Sequence, residues 1–271
     1  MLVFQVNFYP WPTRFIYEVL HTNRKLEPMT ISFNLDTVDS SWRECLNAAI
    51  QKMEVQYLRS LENNTDWLPG ANNIFNAFSI PVSEVNYILL GESPYPRQAS
   101  ANGYAFWDAA VGEIWSATGL SKEVNRATSL RNIIKTLLVA AELLQPGQTG
   151  QANIAAIDKT ALIKTNTELF THLLQHGFLL LNTSLVLQDT AVKKDAYAWQ
   201  PFLQHVLGFL TQRRPHLQLL LLGQVASTID QLLPDLGVNK IYAEHPYNLS
   251  FITNPDMLAF FRPLRLLQVV W

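Results

Sequence analysis

A carboxylate and a hydroxyl, Glu92 and Ser93, stand side by side in Leu89-Leu90-Gly91-Glu92-Ser93-Pro94-Tyr95-Pro96, where an apolar run meets a glycine and two prolines. Gly91 and Pro94 break the run and turn the backbone sharply, leaving N–H groups and short side chains around an open crevice. The Ser93 hydroxyl can hydrogen-bond a water but carries no charge at neutral pH. Glu92 is an anion that reaches the crevice only if the turn rotates it inward. Asn182 closes a second apolar run, and His245 follows another. An asparagine amide offers a donor and an acceptor together, and an imidazole N–H can donate to an oxygen on which charge is building. An asparagine at a strand end also forms turns or caps helices. Turns of this kind end strands in many α/β proteins, so the chemistry depends on which elements bring these residues together.

Four short apolar runs, at 85–90, 178–182, 217–222 and 241–243, lie between helical patterns at 129–144, 166–175, 201–212 and 226–233. Strands separated by helices predict an α/β fold of three layers, a four-stranded parallel sheet with helices on both faces. In such sheets function gathers at the carboxyl ends of the strands, where each run reaches a polar or turn residue. Upstream, Ser40 and Ser41 offer an N-cap for a helix from Trp42 to about Leu61. Residues 67–70 read as a turn, 74–78 as a short helical piece and 146–150 as a loop. Residues 1–40 read as an N-terminal extension with an edge strand at 2–9, and 41–271 as the domain itself.

With 48% hydrophobic residues in 271, the chain can bury a sizeable core. Charged residues make up 15% and the net charge is −2, which argues against a general nucleic-acid coat binder; any DNA contact must come from a local patch. Cys45 is the only cysteine, which excludes an internal disulfide or a cysteine metal cluster and suits a reducing cytoplasm. The apolar run at 217–223 is interrupted by Gln218 and falls far short of the ~20 residues that span a bilayer. Residues 1–12 lack the basic region and long apolar core of a signal peptide. A soluble, cytoplasmic, monomeric protein without membrane contact is expected. No G-x-G-x-x-G or Walker pattern points to nucleotide binding.

Five further segments join the Gly91–Pro96 turn in one order. They are Ile74-Phe75-Asn76-Ala77-Phe78; Ala101-Asn102-Gly103-Tyr104-Ala105-Phe106; Ser129-Leu130-Arg131-Asn132-Ile133-Ile134-Lys135; Leu179-Leu180-Leu181-Asn182-Thr183-Ser184-Leu185; and His245-Pro246-Tyr247-Asn248-Leu249-Ser250. Together they resemble the family 1 uracil-DNA glycosylases, whose corresponding motifs read GQDPYH, QANGLAF, SLRNIFKEL, LLLNTSLTV and HPSPLS. The resemblance covers roughly 42–267. It implies hydrolysis of the N-glycosidic bond of uracil in single- or double-stranded DNA, with no cofactor and no metal, on a base flipped out of the stack.

The resemblance also implies roles. Phe106 would stack on the flipped base, or it is a core phenylalanine after a glycine turn. Asn182 would read the pyrimidine's O4 and N3 edge. Tyr95 would wall off position C5 so that thymine's methyl clashes, a role compatible with simple packing between two prolines. His245 would donate to uracil O2 as the bond breaks; other histidines, such as His172 and His216, read as structural. Leu249 would be the wedge pushed into the stack, although a leucine on an unknown loop is more often buried. Ser129 and Ser250 would meet phosphate oxygens or serve as helix caps. Pro96 and Tyr247 would flank the DNA. Arg97, Arg126, Arg131, Lys193 and Lys194 could form a local positive strip.

Three departures stand out. Ser93 replaces the family aspartate, leaving Ser93, Glu92 and His245 as the candidate catalytic set. Pro96 replaces a histidine, and Tyr247-Asn248 replaces Ser-Pro in the wedge loop. They leave two alternatives to a uracil glycosylase: a weakly active or inactive DNA-binding protein on the same scaffold, or a glycosylase for another damaged base.

Overall fold

Three of the four apolar runs become strands buried on both faces, and the run at 241–243 becomes a partly exposed edge strand. The computed structural model describes residues 33–64, 66–188, 192–233 and 237–269. Its strands are β1 (Tyr87–Gly91), β2 (Trp115–Ser116), β3 (Gly119–Leu120), β4 (Phe178–Asn182), β5 (Gln218–Leu222) and β6 (Asn239–Ala243). Four of them form one sheet in the order β4-β1-β5-β6, parallel throughout. The connections leaving β1 and β5 depart in opposite directions, which opens a crevice at the carboxyl edge of the sheet.

The helices are α1 (Arg43–Ile50), α2 (Val55–Asn63), α3 (Lys122–Arg126), α4 (Thr128–Ala140), α5 (Gln151–Ala155), α6 (Asn166–Gln175), α7 (Val192–Ala198), α8 (Gln200–Arg213), α9 (Gln224–Leu232) and α10 (Pro255–Phe261). Strand periodicity sorts them into layers. Ile88, Leu90, Leu179, Leu181, Leu219 and Leu221 face one core, shared with residues of α1, α2, α8 and α9. Leu89, Phe178, Leu180, Leu220 and Leu222 face the other, shared with α3, α4, α6 and α10. Successive residues point to opposite faces, so the three-layer expectation holds.

Local chemistry sets several boundaries. Thr165 and Glu168 form a capping box at the start of α6, satisfying two N–H groups that the helix cannot pair itself. Asn254 caps α10 ahead of Pro255. The single helix expected over 42–61 is two: Lys52 and Met53 donate to Ala49 and Ile50 in a tight turn. That turn buries Met53 and lets both amphipathic stretches face the same core. Asp39, rather than Ser40 or Ser41, caps the short 3-10 turn that precedes α1. The β2–β3 hairpin was not expected, since two-residue strands carry no readable period. Phe33 packs edge-to-face on Phe75 at 5.4 Å, and Val38 is buried. The strand expected at 2–9 lies outside the described residues. Among those residues no helix is long and apolar enough to cross a membrane.

Candidate active site

Parallel strands end together, so Gly91 pairs with Asn182 and Leu222 with Ala243 along one edge. Position 91 has no room for a side chain. A Cβ there would overlap Asn182 Oδ1 and stand 2.9 Å from Ala105 Cβ. Glycine therefore lets the Asn182 amide lie directly over the end of β1. Asn182 is only 4% exposed, yet no described residue hydrogen-bonds its side chain. Among the described residues, the buried polar side-chain atoms left without a partner lie elsewhere, at Asn76, Ser100 and Asn166, so the Asn182 amide keeps access to the crevice and is open to a group from outside.

The turn after β1 is tied to β4. Thr183 N–H donates to Gly91 O at 2.9 Å, and Glu92 O accepts from Ser184 N–H at 3.0 Å and Thr183 Oγ1 at 2.8 Å. Beyond it Glu92 is exposed, Ser93 half-buried, Pro94 buried and Pro96 exposed. Tyr95 donates its hydroxyl to Phe106 O at 3.2 Å. Burial, and then the charge of Asp108, pushes the Tyr95 phenol well above its ordinary pKa, so it stays a donor. Arg97 pairs with the buried Asp108 at 3.3 Å, pinning the far end of the turn.

Phe106 has a φ of +62°, a left-handed conformation that side chains other than glycine adopt at a cost of ~1–3 kcal/mol. The surrounding contacts enforce it: Ala105 N–H is held by Leu180 O at 3.0 Å, and the Phe106 carbonyl by Tyr95. The ring, half-buried, lies 6.1 Å from the His245 ring at 39°.

His245 is seated against backbone. Gly223, at φ +61°, lies so close that a Cβ would stand 2.8 Å from the Cβ of His245. Tyr247 N–H donates to His245 Nδ1 at 3.1 Å, which makes Nδ1 an acceptor and puts the neutral ring's proton on Nε2. Burial lowers the pKa of His245, and the charge of Glu92 works in the opposite direction. The imidazole is thus neutral at pH 7 and sits within the field of Glu92.

The loop after His245 exposes apolar surface. Tyr247 is 67% and Leu249 69% exposed, unusual for large side chains on a tight loop. Beneath them, Asn132 of α4 is fully buried and donates to Pro246 O at 2.7 Å, with Tyr247 O and Asn248 O each at 3.4 Å. Ser129 stands in the first turn of α4, where no side chain caps the helix, so its N–H groups face outward. Ser250 is exposed. Burial tends to raise the pKa of Glu244, but hydrogen bonds from the Ser250 hydroxyl, its own N–H and Asn254 outweigh it and hold the carboxyl low. Of the expected positive strip, Arg126, Lys193 and Lys194 are exposed. Arg131 turns inward to Asn125 O and Asn132 Oδ1. The described residues contain no cluster of His, Cys, Asp and Glu suited to a metal ion.

The comparisons with known proteins bear on this edge. The wild-type UNG crystal structure from Nitratifractor salsuginis is 39% identical to this chain, with a TM-score of 0.82 over 87% of this chain and 95% of that one. The chain belongs to the uracil-DNA glycosylase superfamily. The uracil-DNA glycosylase of Campylobacter jejuni (strain RM1221) is 26% identical over 232 residues, 83% of this chain and 87% of the relative. A mimivirus uracil-DNA glycosylase structure, 16% identical with a TM-score of 0.54, shares the fold. No protein-family model matches the chain.

On this uracil-DNA glycosylase scaffold the expected residues Glu92, Tyr95, Phe106, Asn182 and His245 gather around the ends of β1, β4 and β6, with Ser93 in the same turn. Ser129, Tyr247, Leu249 and Ser250 line the adjoining α4 and loop surface. Three residues escaped a functional reading from sequence: Asn132, Gly223 and Asp108. For Asn132 a signal existed, a polar residue amid Leu130, Ile133, Ile134 and Leu137 on a buried helix. Gly223 and Asp108 act only through contacts made across the fold.

Proposed function

We propose that this chain is a DNA repair glycosylase that releases uracil from DNA, built on the family 1 plan with its acid moved by one residue. The observation that carries the reading is a neutral imidazole, with its proton on Nε2, facing an aromatic ring at the same strand-end edge as the Asn182 amide. A flipped uracil would stack on Phe106 and meet Asn182 with its O4 and N3–H. Tyr95 would exclude a 5-methyl group. His245 Nε2–H would donate to O2 as the C1′–N1 bond breaks and its electron pair passes to the base. Water then adds to C1′, and the proton it loses goes, directly or through solvent, to the uracil anion, leaving free uracil and an abasic site.

The sugar carries positive charge in the transition state, and an anion close to it in a dry site is worth several kcal/mol. Ser93 supplies no charge. Glu92 does, and its effect on His245 supports a place for it beside the reacting centre. DNA lying across the exposed turn would strip water from Glu92 and strengthen its field; Ser93 would hold the attacking water. Leu249, with Tyr247 beside it, would fill the space left by the flipped nucleotide. Backbone N–H groups at Ser129 and Ser250 would meet phosphates, and exposed Pro96 would flank the DNA.

Ser93 also favours a second reading, a DNA-binding protein that flips a base without cleaving. Chromatography of the products after incubation with a uracil-containing oligonucleotide separates the two. Free uracil and abasic DNA support the glycosylase; retention of intact DNA at stoichiometric protein supports the binder.

A further inference from the structure

The amide of Asn132 and the ring of His245 act on opposite ends of one peptide group. Asn132 Nδ2 donates to Pro246 O at 2.7 Å, and the N–H of the same peptide, that of Tyr247, donates to His245 Nδ1 at 3.1 Å. C=O and N–H point in opposite directions across a planar trans peptide. Fixing the carbonyl against α4 therefore fixes the direction in which the N–H points. Asn132 is fully buried, its Oδ1 accepts from Arg131 Nε at 3.3 Å, and Thr136 Oγ1 donates to Asn132 O at 2.9 Å one turn along α4. The amide has no freedom to follow the loop; the loop must follow the amide.

We propose that Asn132 is a positioning residue for His245: through the Pro246–Tyr247 peptide it holds the imidazole in the orientation and tautomer that present Nε2–H to the substrate oxygen. The tyrosine N–H can satisfy Nδ1 only while that nitrogen is unprotonated, so the clamp selects one neutral form. Glu92, the charged group acting on His245 from the β1 turn, and Glu244, its chain neighbour, are not among the hydrogen-bond partners of the Asn132 side chain, so the effect of Asn132 is separable from theirs. The same amide lies near the Tyr247 and Asn248 carbonyls, tying the wedge loop to the helix that carries Ser129.

The catalytic part of this inference rests on the glycosylase reading; the structural part does not, and the test separates them. Asn132→Ala, with Asn132→Ser as a second variant that keeps a polar group in the buried space, is compared with the parent by nitrogen-15 NMR of the His245 ring and by hydrogen exchange of the Tyr247 amide. The expected result is protection of the Tyr247 amide and an acceptor-type Nδ1 signal in the parent, both lost in the variants. In uracil release, kcat should fall about tenfold, the loss of ~1.4 kcal/mol, with KM nearly unchanged. In a His245→Ala background, Asn132→Ala should cost little more. Rapid exchange of the parent's Tyr247 amide, unchanged ring signals in the variants, or an equal loss of kcat with and without His245 would overturn the proposal. A parent that releases no uracil would sink the glycosylase reading while leaving the NMR result to decide this one.

Discussion

The backbone of Gly223 forms the seat of His245: a Cβ added to the glycine would stand 2.8 Å from the Cβ of the histidine, and the glycine's own φ is +61°. No rotation of the histidine side chain relieves an overlap at its Cβ, so the loop itself must move. Gly223→Ala is expected to lower kcat for uracil release by about 10- to 100-fold, ~1.4–2.8 kcal/mol. Melting temperature should drop by several degrees from the strained φ. Steady-state kinetics with a thermal melt check both. An alanine variant with parental kcat would mean that His245 is not held from this side.

Leu249 is 69% exposed, and an exposed leucine that fills a vacated stack matters only where there is a stack. Leu249→Ala should reduce base release from duplex DNA by at least tenfold more than from a single strand, because a single strand scarcely demands unstacking. Parallel kinetics on the two substrates measure the ratio. Equal losses would make Leu249 a general scaffold residue.

Much of this arrangement was legible in the sequence. The strand at 178–182 was read to the residue, because a parallel strand buried on both faces is a continuous apolar run bounded by turns. Asn182 and His245 stand at or just beyond strand ends and were legible there, whereas Phe106, 15 residues past β1, was singled out only by the motif around it. The break in the helix over 42–61 was not, since it arises from burying Met53 against a core assembled from distant segments. Nor was the role of Asn132, whose bond to Pro246 spans 114 positions in the chain. Periodicity reports which face is buried, not which polar group waits on the other side.

In the proposed mechanism Glu92 and Ser93 divide the role of one family residue. If Glu92 supplies the carboxylate, Glu92→Gln should lower kcat by roughly 100-fold or more, since each ~1.4 kcal/mol of lost charge stabilisation is tenfold. Ser93→Asp should bring no gain, because two adjacent carboxylates repel and one takes up a proton. Single-turnover rates of both variants decide the matter. A rate gain from Ser93→Asp together with indifference to Glu92→Gln would show that the charge is missing in the parent.

Burial lowers the pKa of His245 while the charge of Glu92 raises it. An NMR titration should therefore find His245 below the ordinary value near 6.5, and lower still in Glu92→Gln. The linkage follows in sign: the unfolded chain binds the proton more readily than the folded one between the two pKa values, so stability rises with pH there. The contribution of neutral His245 is complete above the unfolded value and is lost as pH falls from about 6.5 through the folded pKa. A rise in the His245 pKa on removal of Glu92 would contradict the placement of that carboxylate.

The central claim is that the pocket over β1 and β4 selects uracil and breaks its glycosidic bond. Base release from three single-stranded oligonucleotides, identical but for one uracil, thymine or cytosine, measures this most directly, with the parent and Asn182→Asp side by side. The parent should release uracil alone, Tyr95 excluding thymine and the Asn182 amide rejecting cytosine. Asn182→Asp should lose uracil and gain cytosine, because a carboxylate accepts from cytosine's amino group and repels uracil O4. No release of any base by the parent at stoichiometric protein, or unchanged uracil release by Asn182→Asp, would contradict it.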